Sequence, residues 1–133
     1  MDIARAARRL MLVTSLSLVT LGVVAAPAAM AKDGDVIRTG SCTGATDWKL
    51  KLSKEDGRIE VEFEVDQNRN GRTWNVALKQ DGTSFWTGRR TTRAPSGSFE
   101  VRRLASDRAG VHTFVGRAVN PATGEVCRGS ARI

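Results

Sequence analysis

The chain has 133 residues, a net charge of +7, two cysteines, one histidine and no tyrosine. No cluster of metal ligands, phosphate-binding loop or pair of catalytic carboxylates stands out in it. We therefore expect neither an enzyme nor a protein that depends on a metal or a cofactor. The length fits one domain with a modest hydrophobic core.

Residues 1–31 have the pattern of a secretory signal peptide. Three arginines precede the largely apolar residues 10–24, and Ala29-Met30-Ala31 supplies the small residues of a cleavage site. The apolar run is about 15 residues, shorter than the roughly 20 of a membrane-spanning helix. We predict export by either the general or the twin-arginine route. The remaining domain, residues 32–133, is then secreted, extracellular and not stably inserted in a membrane.

The basic residues are concentrated in the second part of this domain. Residues 32–66 contain 6 basic and 9 acidic residues, whereas residues 67–133 contain 12 basic and 4 acidic residues. Such asymmetry indicates either an anionic partner or two faces of the fold with opposite charge.

The first predicted strand covers Val36–Thr43, and a β-hairpin follows it. Apolar and polar residues alternate over residues 48–52 and again over residues 59–65, on either side of an Asp56-Gly57 turn. Alternation with period two around an Asp-Gly turn is the strongest short-range signal for a hairpin. We expect its apolar face to seed the core, and its facing lysines and glutamates to oppose a slip of register.

The later strands are predicted from the same alternation. A fourth strand around Trp74 ends at the turn Asp81-Gly82. Thr83–Thr91 is a weaker strand with two adjacent aromatic residues and an internal glycine, which indicates a bulge or a sheet edge. The remaining strands are predicted at Ser98–Leu104, Val111–Asn120 and Glu125–Ile133.

Seven to eight short strands with no helix after the signal peptide predict an all-β fold. We expect an immunoglobulin-like sandwich of two antiparallel sheets, and a closed eight-stranded barrel is the alternative. Thr91–Val101 and His112–Asn120 are similar to strands near the C-terminal end of many bacterial immunoglobulin-like domains.

Both cysteines, Cys42 and Cys127, lie in the exported part of the chain. Two cysteines in a small secreted domain are typical of one disulfide bond. The bond would join the first strand to the last and would stabilise the domain by about 4–5 kcal/mol through loop entropy.

Four groups of residues carry a resemblance to other proteins. They are Val65-Asp66 with Asn68 and Gly71, Trp74, Ala94–Arg103 and Thr123–Gly129. With these residues the domain resembles a group of small secreted proteins of actinobacteria. The resemblance spans nearly the whole domain and implies an extracellular immunoglobulin-like sandwich, but no particular activity.

Three short motifs could carry chemistry, and each has a plainer explanation. Asp66–Gly71 matches the first half of a calcium loop, but the twelfth position lacks a carboxylate, so turn chemistry explains it. Gly40–Gly44 has the spacing of a nucleophile elbow around Cys42, but that motif needs a following helix. His112 with Asp107 and a serine could form a triad only if the fold brings them together.

Two loops could act as the binding loop of a protease inhibitor. Asn120–Gly124 is similar to the N-P-T-T-G loop of chagasin-like cysteine-protease inhibitors, although in those proteins the loop lies early in the chain. Thr91–Gly97, which contains Pro95, is the second such loop. We favour an ordinary hairpin turn at Asn120–Gly124.

Six arginines cluster around two predicted strands and their connecting loop. Guanidinium groups suit bidentate contacts with phosphate, sulfate or carboxylate groups, and Trp86 nearby could stack on a sugar or a base. The alternative is that these arginines only keep the surface soluble. The predicted anion-binding residues are Arg89, Arg90, Arg93, Arg102, Arg103 and Arg108.

The sequence therefore favours a non-enzymatic, secreted binding or structural module. Its expected partner is an anionic cell-wall polymer or another extracellular protein. A protease inhibitor that presents a rigid loop is the alternative function.

Overall fold

The computed structural model describes residues 31–133, and the predicted signal peptide lies outside them except for Ala31. The described residues form eight strands and no helix. No helix in this part of the chain is therefore long and apolar enough to cross a membrane. The strands are β1 Val36–Ser41, β2 Asp47–Glu55, β3 Arg58–Asp66, β4 Thr73–Gln80, β5 Thr83–Thr91, β6 Ser98–Ser106, β7 Thr113–Val119 and β8 Val126–Arg132.

The strands form two separate four-stranded antiparallel sheets. The first sheet has the order β1-β2-β3-β6, and the second sheet has the order β5-β4-β7-β8. This confirms a two-sheet sandwich and rules out the alternative of a closed barrel. The second sheet corresponds to strands C′-C-F-G of immunoglobulin-like domains, and β2-β3-β6 corresponds to A-B-E. The fold departs from that pattern because β1 adds an edge strand beside β2 and no strand D borders β6.

The predicted hairpin is present as β2 and β3. Asp56 and Gly57 both have positive φ, at 48° and 75°, which is the backbone geometry of a type I′ turn. The resulting register places Leu50 opposite Phe63, so the apolar residues of both strands face the second sheet. The same register places Lys49 opposite Glu64 and their side chains 2.9 Å apart.

The core lies between the sheets and is filled by side chains from both. Its largest fully buried members include Phe63 of the first sheet and Trp74 and Phe114 of the second. The ring of Phe63 lies against Gly116, where a Cβ atom would be only 2.6 Å from the ring. The indole Nε1 of Trp74 donates a hydrogen bond to Gln67 at 3.0 Å, so the one polar atom of this buried ring has a partner.

Strand β5 has both features that its sequence predicts. It is an edge strand, and its register with β4 shifts between Leu78 and Lys79, which leaves Phe85 without a partner on β4. The extra residue lets the adjacent Phe85 and Trp86 both pack against the core. Strand β6 continues to Ser106, beyond its predicted end at Leu104.

The disulfide between Cys42 and Cys127 is confirmed. Cys42 follows β1 and Cys127 lies in β8, so the bond joins the edge strands of the two sheets. Strands β5 and β6 are the other two edge strands, and they contact each other as well. The sandwich is therefore covalently closed on the side of β1 and β8, and on the other side β5 and β6 are in contact without a disulfide.

Candidate anion-binding surface

The outer face of the first sheet combines charges of both signs. Lys51 contacts Asp35 at 3.3 Å, and Arg102 contacts Glu62 at 3.0 Å. Lys51 and Glu62 are both largely buried under neighbouring side chains. Lys49, Lys51 and Arg102 of this face are each paired with a carboxylate of the same sheet.

The outer face of the second sheet carries only positive charge. None of its four strands contains an aspartate or a glutamate. Among the described residues, none of the five outward-facing basic side chains forms an ion pair. We call this surface the basic face; it comprises Lys79, Arg89, Arg117, Arg128 and Arg132.

A shallow depression of about 560 Å³ lies on the basic face between Arg89 and Arg117. Its floor is made of small or uncharged side chains, including Ala77 and Val119. The Nε atom of Arg89 donates a hydrogen bond to Asn75 at 3.2 Å, which helps to hold the guanidinium at the wall of the depression.

Two more arginines contact Trp86 where β5 meets β6. The guanidinium carbon of Arg90 lies 4.9 Å from the centre of the indole ring, and that of Arg103 lies 4.8 Å from it. Each guanidinium also donates a 2.7 Å hydrogen bond to the carbonyl of the preceding residue. Trp86 packs against Gly88, where a Cβ would be 2.6 Å from the ring. The indole is thus engaged in cation–π contacts that close the sandwich edge.

A second groove, of about 450 Å³, lies beside this edge. It is lined by Arg89, Arg90 and Arg93, together with Ser98 and Glu100. Since Arg89 also borders the depression on the basic face, the two concave surfaces are neighbours.

The six predicted arginines therefore do not form one cluster. Arg89, Arg90 and Arg93 line one groove, and Arg103 reaches its neighbourhood through Trp86. Arg102 points to the opposite face and contacts Glu60, Glu62 and Glu100. Arg108 lies 3.8 Å from Asp81.

Sequence reasoning missed four members of the basic face. Lys79, Arg117, Arg128 and Arg132 are scattered along the chain and form no visible cluster in it. The signal that could have found them is the alternation within β7 and β8, which sends these arginines outward and their neighbours Ala118, Cys127 and Ala131 into the core.

Cys42 and Asp66–Gly71 have structural explanations. Cys42 is in the disulfide and is not a free thiol. The Asp66 carboxylate accepts a hydrogen bond from the backbone N–H of Asn68 at 3.0 Å, as in an Asx turn. Within residues 31–133 no group of three or more histidine, cysteine or acidic side chains is placed to hold a metal ion.

His112 pairs with Asp81 and not with Asp107. Its Nδ1 lies 2.7 Å from the Asp81 carboxylate, and its Nε2 lies 2.8 Å from the carbonyl oxygen of Arg108. Asp107 contacts Lys54 at 3.2 Å. Chiefly because of their mutual hydrogen bond, the pKa of His112 is raised and the pKa of Asp81 is lowered. Both ring nitrogens are engaged, so neither is hydrogen-bonded to a serine nucleophile.

The two loops considered for protease inhibition are both tight turns. In Asn120–Gly124, the N–H of Gly124 donates to the carbonyl of Asn120 at 2.7 Å, and the Asn120 side chain accepts from Ala122. In the other loop, the N–H of Gly97 donates to the carbonyl of Arg93 at 2.9 Å.

Comparisons of the chain with protein-family models, with curated proteins and with solved structures found no match. The function is therefore inferred from the geometry of residues 31–133.

Proposed function

We propose that the protein is a secreted, non-enzymatic binding module that uses the basic face to hold an anionic polymer of the cell envelope. The observation that carries the proposal is the distribution of charge between the two sheets. The first sheet pairs four of the seven cations on its strands with carboxylates, whereas the second sheet presents five cations on strands that contain no acidic residue.

Arginine is the appropriate residue for this role. Four of the five cations of the basic face are arginines, whose planar guanidinium donates parallel hydrogen bonds to phosphate, sulfate or carboxylate groups. A single positive charge on the surface contributes little to binding, but several positive charges on one face raise the local concentration of an anionic partner.

The shape of the surface favours an extended ligand. The basic face is the outside of a sheet with only a shallow depression, and Arg89 links that depression to the groove with Arg90 and Arg93. A linear polymer can lie across the strands and continue over the β5 edge, where it would meet arginines on both surfaces.

The test is retention of the purified protein on heparin and on immobilised long-chain polyphosphate, measured at several salt concentrations. We expect retention to fall steeply with salt, because binding releases counterions from the polymer. The double variant Arg89→Gln/Arg117→Gln should elute earlier and show a salt slope smaller by about two.

The matched control is Arg38→Gln/Arg58→Gln, which removes the same charge from exposed arginines of the first sheet. We expect the control to be retained almost as well as the wild type. Equal losses in the two double variants would show that only net charge matters, and would contradict a binding face on the second sheet.

Protease inhibition is a second candidate, favoured by the bracing of residues 92–97. The carbonyl of Gly97 accepts from the N–H of Gln67 at 3.1 Å, and Arg93 pairs with Ser98, so the exposed tip Ala94-Pro95-Ser96 stands on a fixed base. Stoichiometric inhibition in a screen of extracellular serine and cysteine proteases, lost on mutation of this tip, would support it over polymer binding.

A further inference from the structure

Two arginines of the basic face lie directly opposite each other. Arg117 of β7 and Arg128 of β8 are paired in the register of the second sheet, and both are exposed. Directly opposed residues have Cβ atoms about 5 Å apart, and like charges in this relationship destabilise a sheet. No residue of the four strands supplies a compensating carboxylate.

In the first sheet, charged residues that lie directly opposite each other are mostly of opposite sign. Lys49 is paired with Glu64, Lys51 with Glu62, and Glu62 with Arg102. The like pair formed by Glu64 and Glu100 is compensated, because each carboxylate contacts a cation, at 2.9 Å and 3.2 Å.

The second like pair of the first sheet is relieved in a different way. Asp47 lies opposite Asp66. The Asp47 carboxylate accepts a hydrogen bond from Ser41 at 3.0 Å, and the Asp66 carboxylate accepts one from the backbone of Asn68. Against this pattern, the Arg117–Arg128 pair differs, because within residues 31–133 neither guanidinium forms an ion pair or a side-chain hydrogen bond.

We propose that Arg117 and Arg128 form an oxyanion subsite that takes a phosphate or sulfate ester group of the bound polymer. This inference rests on the proposed function and names the chemical class of its ligand. A tetrahedral oxyanion between the two guanidinium groups can accept hydrogen bonds from both and removes their repulsion. A carboxylate is a poorer match, because it presents two acceptor oxygens to the two guanidinium groups, whereas a phosphate or sulfate monoester presents three.

The subsite continues along β8. Ser130 and Arg132 point to the same side as Arg128, at successive spacings of about 7 Å along the strand. A hydroxyl and a third guanidinium therefore follow the subsite in a line. This order fits a linear chain with repeated anionic groups better than an isolated anion.

The binding test uses tripolyphosphate and a sulfated oligosaccharide as probes in titration calorimetry at low salt. We expect Arg117→Gln and Arg128→Gln each to weaken binding about tenfold. In the double variant the fold-loss of affinity should be much smaller than the product of the two single fold-losses, because both arginines bind the same oxyanion. The control Arg38→Gln, which removes one charge from the other sheet, should change binding less than twofold. If the arginine variants lose affinity only for tripolyphosphate, the subsite binds phosphate groups. If they lose affinity only for the sulfated oligosaccharide, it binds sulfate esters.

The stability test separates a binding pair from a structural one. At low salt, Arg128→Gln should melt at the same or a higher temperature than the wild type, because it relieves repulsion. Tripolyphosphate should raise the melting temperature of the wild type more than that of Arg128→Gln. A lower melting temperature of Arg128→Gln without ligand, or equal ligand shifts in both proteins, would overturn the subsite.

Failure of the subsite and failure of the proposed function give different results. If Arg128→Gln binds both probes as tightly as Arg38→Gln while the wild type is still retained on polyphosphate, the proposed subsite is contradicted and the proposed function of the basic face is not. If the wild type binds none of the polyanions, both proposals fall.

Discussion

The imidazole of His112 and the carboxylate of Asp81 join the start of β7 to the β4–β5 turn, with Nδ1 and Oδ2 2.7 Å apart. The other carboxylate oxygen accepts the N–H of Thr113 at 2.8 Å. On the far side of the ring, Nε2 faces the carbonyl oxygen of Arg108. A carboxylate and a carbonyl both accept hydrogen bonds, so this geometry is satisfied only when both ring nitrogens carry a proton.

The stability of the protein should therefore depend on the charge of His112. The hydrogen bond to Asp81, and then the one to the Arg108 carbonyl, raise the pKa of His112 in the folded state. A raised pKa means that the contribution is fully present below about pH 6.5, the value for an unfolded chain, and is lost as pH rises through the folded-state value. Melting temperatures measured from pH 5 to pH 9 should fall across this interval.

The variant His112→Gln is the control for that profile. Glutamine occupies similar space and does not titrate, so its melting temperature should be lower at pH 5 and should lack the decline. A decline of the same size in the variant would assign the effect to another group.

Arg102 should matter more at neutral pH than in acid. Burial is the main reason that the pKa of Glu62 is raised, and Arg102, 3.0 Å away, opposes that rise. In Arg102→Gln the pKa of Glu62 should rise further, so the variant loses stability as pH rises through that pKa. We expect a loss of about 1 kcal/mol at pH 7, because Arg102 is half exposed, and a smaller loss at pH 4.

Urea unfolding at the two pH values measures this difference. Arg58→Gln is the matched control, because Arg58 is exposed on the neighbouring strand β3. A loss for Arg102→Gln that is the same at pH 4 and pH 7 would show that its role is packing and not charge.

Removal of the disulfide should be strongly destabilising. Cys42 and Cys127 are separated by 85 residues, so the bond constrains most of the unfolded domain. We expect the double variant Cys42→Ala/Cys127→Ala to lose about 2–5 kcal/mol of unfolding free energy in urea. Reduction of the wild type with dithiothreitol should reproduce the loss, and an unchanged urea midpoint in both experiments would contradict it.

The close contact between Phe63 and Gly116 should tolerate no added methyl group. A Cβ on residue 116 would be 2.6 Å from the Phe63 ring, so Gly116→Ala should cost about 1–3 kcal/mol through overpacking. The double variant Gly116→Ala/Phe63→Leu should lose less stability than the sum of its single changes, since a smaller side chain makes room for the methyl. Additive losses would show that the two residues do not compete for the same space.

The sequence by itself predicted most of the fold. Alternation of apolar and polar residues over Leu50–Leu52 and Ile59–Val65 has a period of two, and the Asp56-Gly57 turn fixes how the two strands meet. These are local properties, so the hairpin is readable without tertiary information. The pairing of the two cysteines was also predictable, because a domain with two cysteines offers only one intramolecular disulfide bond.

Only the tertiary structure decided which cations share a surface. Neighbouring residues of a strand point to opposite faces, so Arg102 lies on the outer face of the first sheet and Arg103 contacts Trp86, despite their adjacency in the chain. Conversely, Arg117 and Arg128 are brought face to face by the β7–β8 register. The sequence determined that the domain is a basic β-sandwich; register and sheet order, which depend on contacts distant in the chain, determined where its unpaired charge lies.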